Sequence, residues 1–375
     1  MSLHDASRPP SSRGTDAEPP GPNPGPTTVL RLGEPGELVA AVPHLLGVRP
    51  AESMVLLGLH RKGRRTRLGV VARADIPDVE HVGTVVAACA RSMGRSGPDE
   101  VALVVVGGGI RGPGQGPPRV DVAEEVTAMF TAVRVTVRTR LWVARIAAGE
   151  QWCCYPPCDC EGTVAGVDDS PVAAASAWLG TVTFDSRAEL EASVAPDTAA
   201  DGPRRRRLIE EAVDAAVLDR ELAGPAAARR DLAALAAARD EVAAGRALGD
   251  TELARCAVAL TDPGVRDAAL GWAVAPEGDD PDVVPHAAEL LWTTLVRALP
   301  APEVAEPASL LALTVLARGG GAVVGAALDR ARRADPGHRL TALVESLVRG
   351  GIGPEAIRDL VRTSGSESRA RLGLP

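Results

Sequence analysis

The sequence predicts an N-terminal α/β sandwich domain followed by an all-α helical domain with a tetratricopeptide-like helix pair. Three observations carry this reading. Strand-like and helix-like segments alternate through the first half, and the run Val-Ala-Leu-Val-Val-Val at 101–106 has the continuous apolar pattern of a strand covered on both faces. Beyond residue 195, apolar residues recur every three to four positions. Finally, Leu311, Gly319, Leu328, Ala331, Asp335 and Pro336 fall at tetratricopeptide spacing, with Val324 where that repeat carries a small residue.

Residues 1–27 are rich in Pro, Ser and Gly without apolar periodicity and are expected to be disordered. The α/β domain is expected over 28–195. It opens with a helix at 37–46 that Gly47 ends. Two strands, 53–59 and 67–74, flank a short basic turn and read as a hairpin. A helix at 79–93 turns Val82, Val85, Val86 and Cys89 inward. Strand 101–106, a Gly/Pro loop, helix 120–132 and strand 133–143 continue the alternation, which favours right-handed crossovers. The cysteine-rich segment after it reads as irregular, followed by helices at 171–178 and 186–194. A polar linker, 196–203, leads to helical segments at 205–222, 226–244, 250–260, 284–299 and 308–318 within a domain spanning 204–363. Asp250 and Asp262-Pro263 are start signals, Gly319 to Gly321 a stop, and 364–375 a flexible tail. Short helices joined by Gly/Pro turns suggest a bundle or repeat array.

The 375 residues are 45% hydrophobic, enough for a sizeable core, and carry a net charge of −8, which argues against a nucleic-acid partner. No apolar run approaches the ~18–20 residues of a membrane-spanning helix, and the opening residues lack the apolar core of a secretory signal. The expectation is a cytoplasmic protein whose six cysteines are reduced or metal-bound.

Four of those cysteines, Cys153, Cys154, Cys158 and Cys160, fall within eight residues beside Trp152 and the single Tyr155. Four thiolates suit a tetrahedral zinc site, but the spacing C-C-x3-C-x-C differs from the C-x2-C pairs of zinc ribbons, and adjacent cysteines point apart. His44, His60 or His81 are candidate additional ligands. An ordinary loop packed by Trp152 and Tyr155 remains the competing reading, and no cofactor is assigned. Gly107, Gly109 and Gly112 match G-x-G-x-x-G, yet the next helix begins only near Val120, too far on to hold a pyrophosphate at its start. Arg73 and Asp75 lie near a strand C-terminus, where α/β folds place ligands. They read as a candidate ligand-binding pair or as an ion pair capping the strand. The Arg204 to Arg207 run reads as a solvated helix start, and His286 and His338 as packing or surface residues. No nucleophile-elbow, zinc-protease or phosphate-loop motif appears.

Two stretches, Glu37 to Leu59 and the Ala-Arg-Ala-Asp-Ile-Pro of 72–77, together with the Trp- and Cys-containing block ending in Gly162-Thr163, resemble an uncharacterised actinobacterial family defined only as a domain of unknown function. Ser186-Arg187, Glu189-Leu190 and the segment 319–336 resemble its later blocks, in the same order. The adjacent cysteine pair comes early here, whereas the family block more often has it late. The resemblance implies no activity. Two functions are therefore expected as alternatives. One is a non-enzymatic protein that binds a protein partner through its helical half. The other is a small-ligand-binding or enzymatic α/β domain using Arg73, Asp75 and the cysteine-rich loop around one cleft.

Overall fold

A computed structural model describes residues 34–374, apart from 64, 94–96, 179–181, 198–201 and 276–282. The expected disordered segment 1–27 lies outside the described residues. Helix α1 (Pro35–Leu46) begins with proline at its first turn, and the Glu37 carboxylate accepts from the Glu34 N–H at 3.3 Å. It ends at Gly47, φ 74°, a left-handed conformation that glycine adopts without a Cβ penalty. Strands β1 (Ser53–Lys62) and β2 (Arg65–Asp75) form the expected hairpin, with a bulge between Leu57 and Leu59. A 3₁₀ turn, Val79–His81, leads into α2 (Val82–Ser92), then come β3 (Glu100–Val106), α3 (Val120–Ala132) and β4 (Thr136–Val143).

The cysteine segment is not the irregular interruption its composition suggests. It forms two short strands, β5 (Gln151–Cys154) and β6 (Glu161–Thr163), which complete a six-stranded sheet of order β2-β1-β3-β4-β5-β6. Strands of four and three residues are too short to show a two-residue alternation. Pairing of Leu141 to Val143 with Trp152 to Cys154 decides their conformation instead.

Only β3 and β4 are adjacent and parallel; the other neighbouring pairs are antiparallel. Strands β2, β3 and β4 share one direction, so α2 crosses from β2 to β3 over β1, and α3 crosses from β3 to β4. Both helices cover one face, burying Met54, Leu56, Leu103, Val105 and Trp142. The opposite face, with Val55, Leu57, Val104, Val106, Leu141 and Val143, packs on Val39, Ala40 and Val42 of α1. The two-residue strand period thus feeds two cores from one sheet, and all seven residues of β3 are buried.

Helices α4 (Pro171–Trp178) and α5 (Arg187–Ser193) follow, and Ser186 caps α5 by accepting from the Glu189 N–H at 3.1 Å. The helical half comprises α6 (Gly202–Ala223), α7 (Pro225–Ala243), α8 (Asp250–Ala259), α9 (Pro263–Leu270), α10 (Val283–Ala298), α11 (Ala305–Arg318), α12 (Ala322–Ala334), α13 (Arg339–Arg349) and α14 (Pro354–Arg371). Asp262 caps α9 through the Gly264 and Val265 N–H groups at 2.8 and 3.2 Å. Helix α11 is buried on nearly every side and forms the axis of this core. Trp272 and Trp292 stack at 5.9 Å beside it, and the Arg239 guanidinium lies 4.6 Å from the Trp272 ring centre.

Leu190 and Val194 of the α5 segment belong to the helical core, not to the sheet that precedes them. Residues 364–371, expected as tail, continue α14, which buries Gly365 and Ser368 and is held at its end by Arg229 donating to the Leu372 carbonyl at 3.0 Å. Sheet and helices keep separate cores, yet the described chain forms one compact unit.

Candidate functional site

Arg73 and Asp75 stand on β2, the outermost strand on one side of the sheet. The Arg73 guanidinium pairs with Asp75 and donates to the Ser53 hydroxyl at 2.9 Å. Both residues line a cleft of about 1440 Å³ between the β2 edge and the helical half. Apolar Leu68, Val70 and Ile352 are exposed in it, and Gly319, Gly320 and Gly325 leave its α12 wall low. Among the described residues, no backbone group outside the β1–β2 ladder pairs with β2 over residues 65–75.

The charges of this cleft are unevenly matched. Asp185 binds Arg49 at 3.0 Å, Glu191 binds Arg187 at 2.8 Å, and Arg187 reaches Asp75 at 3.8 Å. Asp329 is taken by Arg332. Arg330 is half-buried, its Nε has no hydrogen-bond partner, and no carboxylate pairs with Arg330 or Arg333 among the described residues. Burial, and then the like charge of Arg333, hold the Arg330 guanidinium below its ordinary pKa. Arg333 donates only to the Asp329 carbonyl of its own helix, at 3.0 Å. Neither arginine stands out in the sequence, because lack of a partner is a property of the folded surroundings.

The four clustered cysteines separate. Cys153 turns into the core beneath α2 and α3 with Trp142 and Tyr155, and burial raises its pKa. Cys154 turns to the other face, as alternation along β5 requires. The Cys154 N–H donates to the Cys160 carbonyl at 2.8 Å, and the thiols of Cys154, Cys158 and Cys160 all lie within 4.8 Å of one another. Burial, then the hydrogen bond with Cys158, push Cys154 up to about 12. Hydrogen bonding from Cys160 lowers Cys158, which makes it the readiest of the three to ionise. No histidine, aspartate or glutamate among the described residues joins them at that range. His44 is engaged instead with Thr183 and the Val167 carbonyl, at 3.1 and 3.0 Å.

Trp152 and Tyr155 shape this hairpin. Trp152 donates to the Thr163 carbonyl at 3.1 Å, while Tyr155 donates to the Pro118 carbonyl at 2.6 Å, buried so that its phenol is held well above its ordinary pKa. The Arg140 guanidinium donates to the Pro156 carbonyl and to the Thr127 hydroxyl, fixing the turn between Cys154 and Cys158.

Arg73 and the thiols do not share a cleft. They occupy one row across the sheet, Arg73–Val55–Val104–Leu141–Cys154, four strand spacings apart. At ~4.8 Å per spacing that is about 19 Å. A single site uniting Arg73, Asp75 and the cysteine loop is therefore not what the fold builds, because β2 and β5 lie on opposite sides of β1, β3 and β4. The glycine loop is occupied too. Glu52 accepts from the Gly108 N–H at 3.0 Å, and Trp142 donates to the Gly107 carbonyl at 2.8 Å.

The fold and these two edges define a mixed-sheet α/β protein with a helical half closing over one sheet edge. Residues 35–355 match the family model described as a domain of unknown function (DUF4192), and the chain belongs to that family. No curated protein and no solved structure matches it. No helix among the described residues is long and apolar enough to cross a membrane.

Proposed function

We propose that this chain is a non-enzymatic cytoplasmic binding protein whose cleft between β2 and the helical half receives an acidic segment of a protein partner. The observation that carries this reading is the pair Arg330 and Arg333, two cations without carboxylate partners beside a strand edge that is unpaired among the described residues. A half-buried guanidinium without a counter-charge bears a desolvation cost that an incoming carboxylate offsets. An extended peptide would add main-chain hydrogen bonds along β2, and Leu68, Val70 and Ile352 would take its apolar side chains. The α11–α12 pair, read as tetratricopeptide-like, forms the opposite wall and offers the surface such repeats use for partners.

The test is affinity capture from host lysate with the full-length chain, Arg330→Glu/Arg333→Glu, and Gly325→Trp, whose new side chain fills the cleft from a position where a Cβ meets nothing within 4 Å. A protein retained by the parent chain and lost from both variants supports the reading. Identical retention by all three chains overturns it. Native mass spectrometry of the purified chain covers the second reading, a small-ligand site beside Arg73 and Asp75. A bound small anion lost in the arginine variant, with no protein captured, favours that one.

A further inference from the structure

We infer that Cys154, Cys158 and Cys160 form a three-thiolate zinc site on the β5–β6 hairpin, with its fourth position supplied from solvent. The site is separate from the cleft and independent of what the cleft binds.

The backbone brings the sulfurs together. The bond from the Cys154 N–H to the Cys160 carbonyl sets these two residues side by side on one face, and the turn between them delivers Cys158. Arg140 at the Pro156 carbonyl and Tyr155 at the Pro118 carbonyl hold that turn without involving any thiol. The backbone and these two side chains therefore set the arrangement of the three residues. Thiolates bind zinc at about 2.3 Å, which puts tetrahedral sulfurs about 3.8 Å apart. A trio already within 4.8 Å lies no more than about 1 Å from that spacing.

A disulfide would use two of these thiols and leave the third idle, whereas a metal uses all three. Zinc suits a thiolate set with an open position. Cys158 and Cys160 are exposed, so water reaches the remaining corner. Cys153, one residue from Cys154 but buried on the opposite face, is excluded by the strand geometry and serves as an internal control. On binding, three S–H bonds break, three Zn–S bonds form and the protons pass to bulk water, with no change of oxidation state.

The experiment titrates Zn²⁺ into full-length protein, reduced and stripped of metal, against a chromophoric competitor, with alkylation of the thiols read by mass spectrometry. One zinc per chain is expected, protecting Cys154, Cys158 and Cys160 from alkylation. Loss of an outer-shell partner alone weakens metal sites about 10- to 100-fold. Cys158→Ser and Cys160→Ser, which remove direct ligands, should weaken binding by more than about 100-fold. Both positions are exposed, and circular dichroism checks that the variants keep the fold. Cys153→Ser should leave stoichiometry and affinity unchanged. Folded parent protein that binds no zinc, or binds it as tightly after Cys158→Ser, overturns the assignment. So does a disulfide among the three that persists in reductant.

Discussion

Trp152 explains why glycine stands at two distant positions. A Cβ on Gly162 would lie 2.9 Å from its ring, and a Cβ on Gly36 would lie 3.0 Å from its indole nitrogen and 2.4 Å from the Thr163 carbonyl. The indole is wedged between the β6 backbone and the start of α1, so a side chain at Gly162 displaces it, while one at Gly36 meets the Thr163 carbonyl first. Gly162→Ala should lower stability by about 1–3 kcal/mol, the usual cost of overpacking, measured by urea unfolding. An unchanged midpoint would show that the ring moves aside freely. A second residue-scale case is Arg205, read from sequence as part of a solvated helix start but 7% exposed in the fold. It donates to Asp250 at 2.7 Å and to the Ala298 carbonyl, joining α6 to α8 and α10. Asp250→Asn should cost about 2 kcal/mol, below the ~3–5 kcal/mol of a fully buried pair because the Asp250 side chain remains 22% exposed. The hydrogen bond from Arg205 lowers the Asp250 pKa in the fold. Its stabilisation is thus complete above the ordinary carboxylate value of about 3.9 and is lost as pH falls through the lower, folded value. The gap between parent and variant should be constant at neutral pH and close only in strong acid. A gap that closes near neutrality would assign the effect to another group.

Among elements, α14 carries a backbone-against-backbone packing constraint. It crosses the 3₁₀ turn Gly271–Ala273 at a contact between two glycines, where a Cβ on Gly365 would sit 2.7 Å from the Gly271 Cα. Backbone cannot yield as a side-chain tip does, so Gly365→Ala forces the helix outward and loosens Ile357, Val361 and Ser368 behind it. A loss of about 1–3 kcal/mol is expected, with faster amide exchange in α14 than in α11. Uniform exchange across both helices would argue against a local displacement. Strand β2 presents the opposite situation. Its two middle apolar residues, Leu68 and Val70, are 42% and 39% exposed, an arrangement that edge strands ordinarily avoid unless something covers them.

For the whole molecule, the decisive fact is that α5 lies before the linker in sequence but within the helical core in space. Leu190 and Val194 are buried there, and burying a residue of that size contributes about 1.5–3 kcal/mol. A fragment beginning at residue 183 should therefore be more stable than one beginning at 204 by about 2 kcal/mol or more, compared by thermal melting. Equal melting would mean that the helical core closes without α5. The same strand-to-helix link ties the halves together. The Arg49 N–H donates to the Phe184 carbonyl at 2.8 Å, while its guanidinium binds Asp168 and Asp185, each at 3.0 Å.

Features that depend on neighbours along the chain were legible in the sequence. Pro35, Gly47, Ser186 and Asp262-Pro263 mark helix ends through local hydrogen bonding and backbone preference, and the apolar run ending at Val106 marks a strand covered on both faces. The sequence also marked the cysteine segment as special, but not which of its thiols lie together. Tertiary structure decided that. Pairing with β4 turned the segment into two strands, and their alternation sent Cys153 inward and Cys154 to the opposite face. Sheet order then placed Arg73 four strands from those thiols, and Arg330 and Arg333 line the cleft beside β2 without a paired carboxylate among the described residues. Strand order and charge pairing depend on contacts between residues far apart in the chain, and no local spacing encodes which distant residue an arginine will meet.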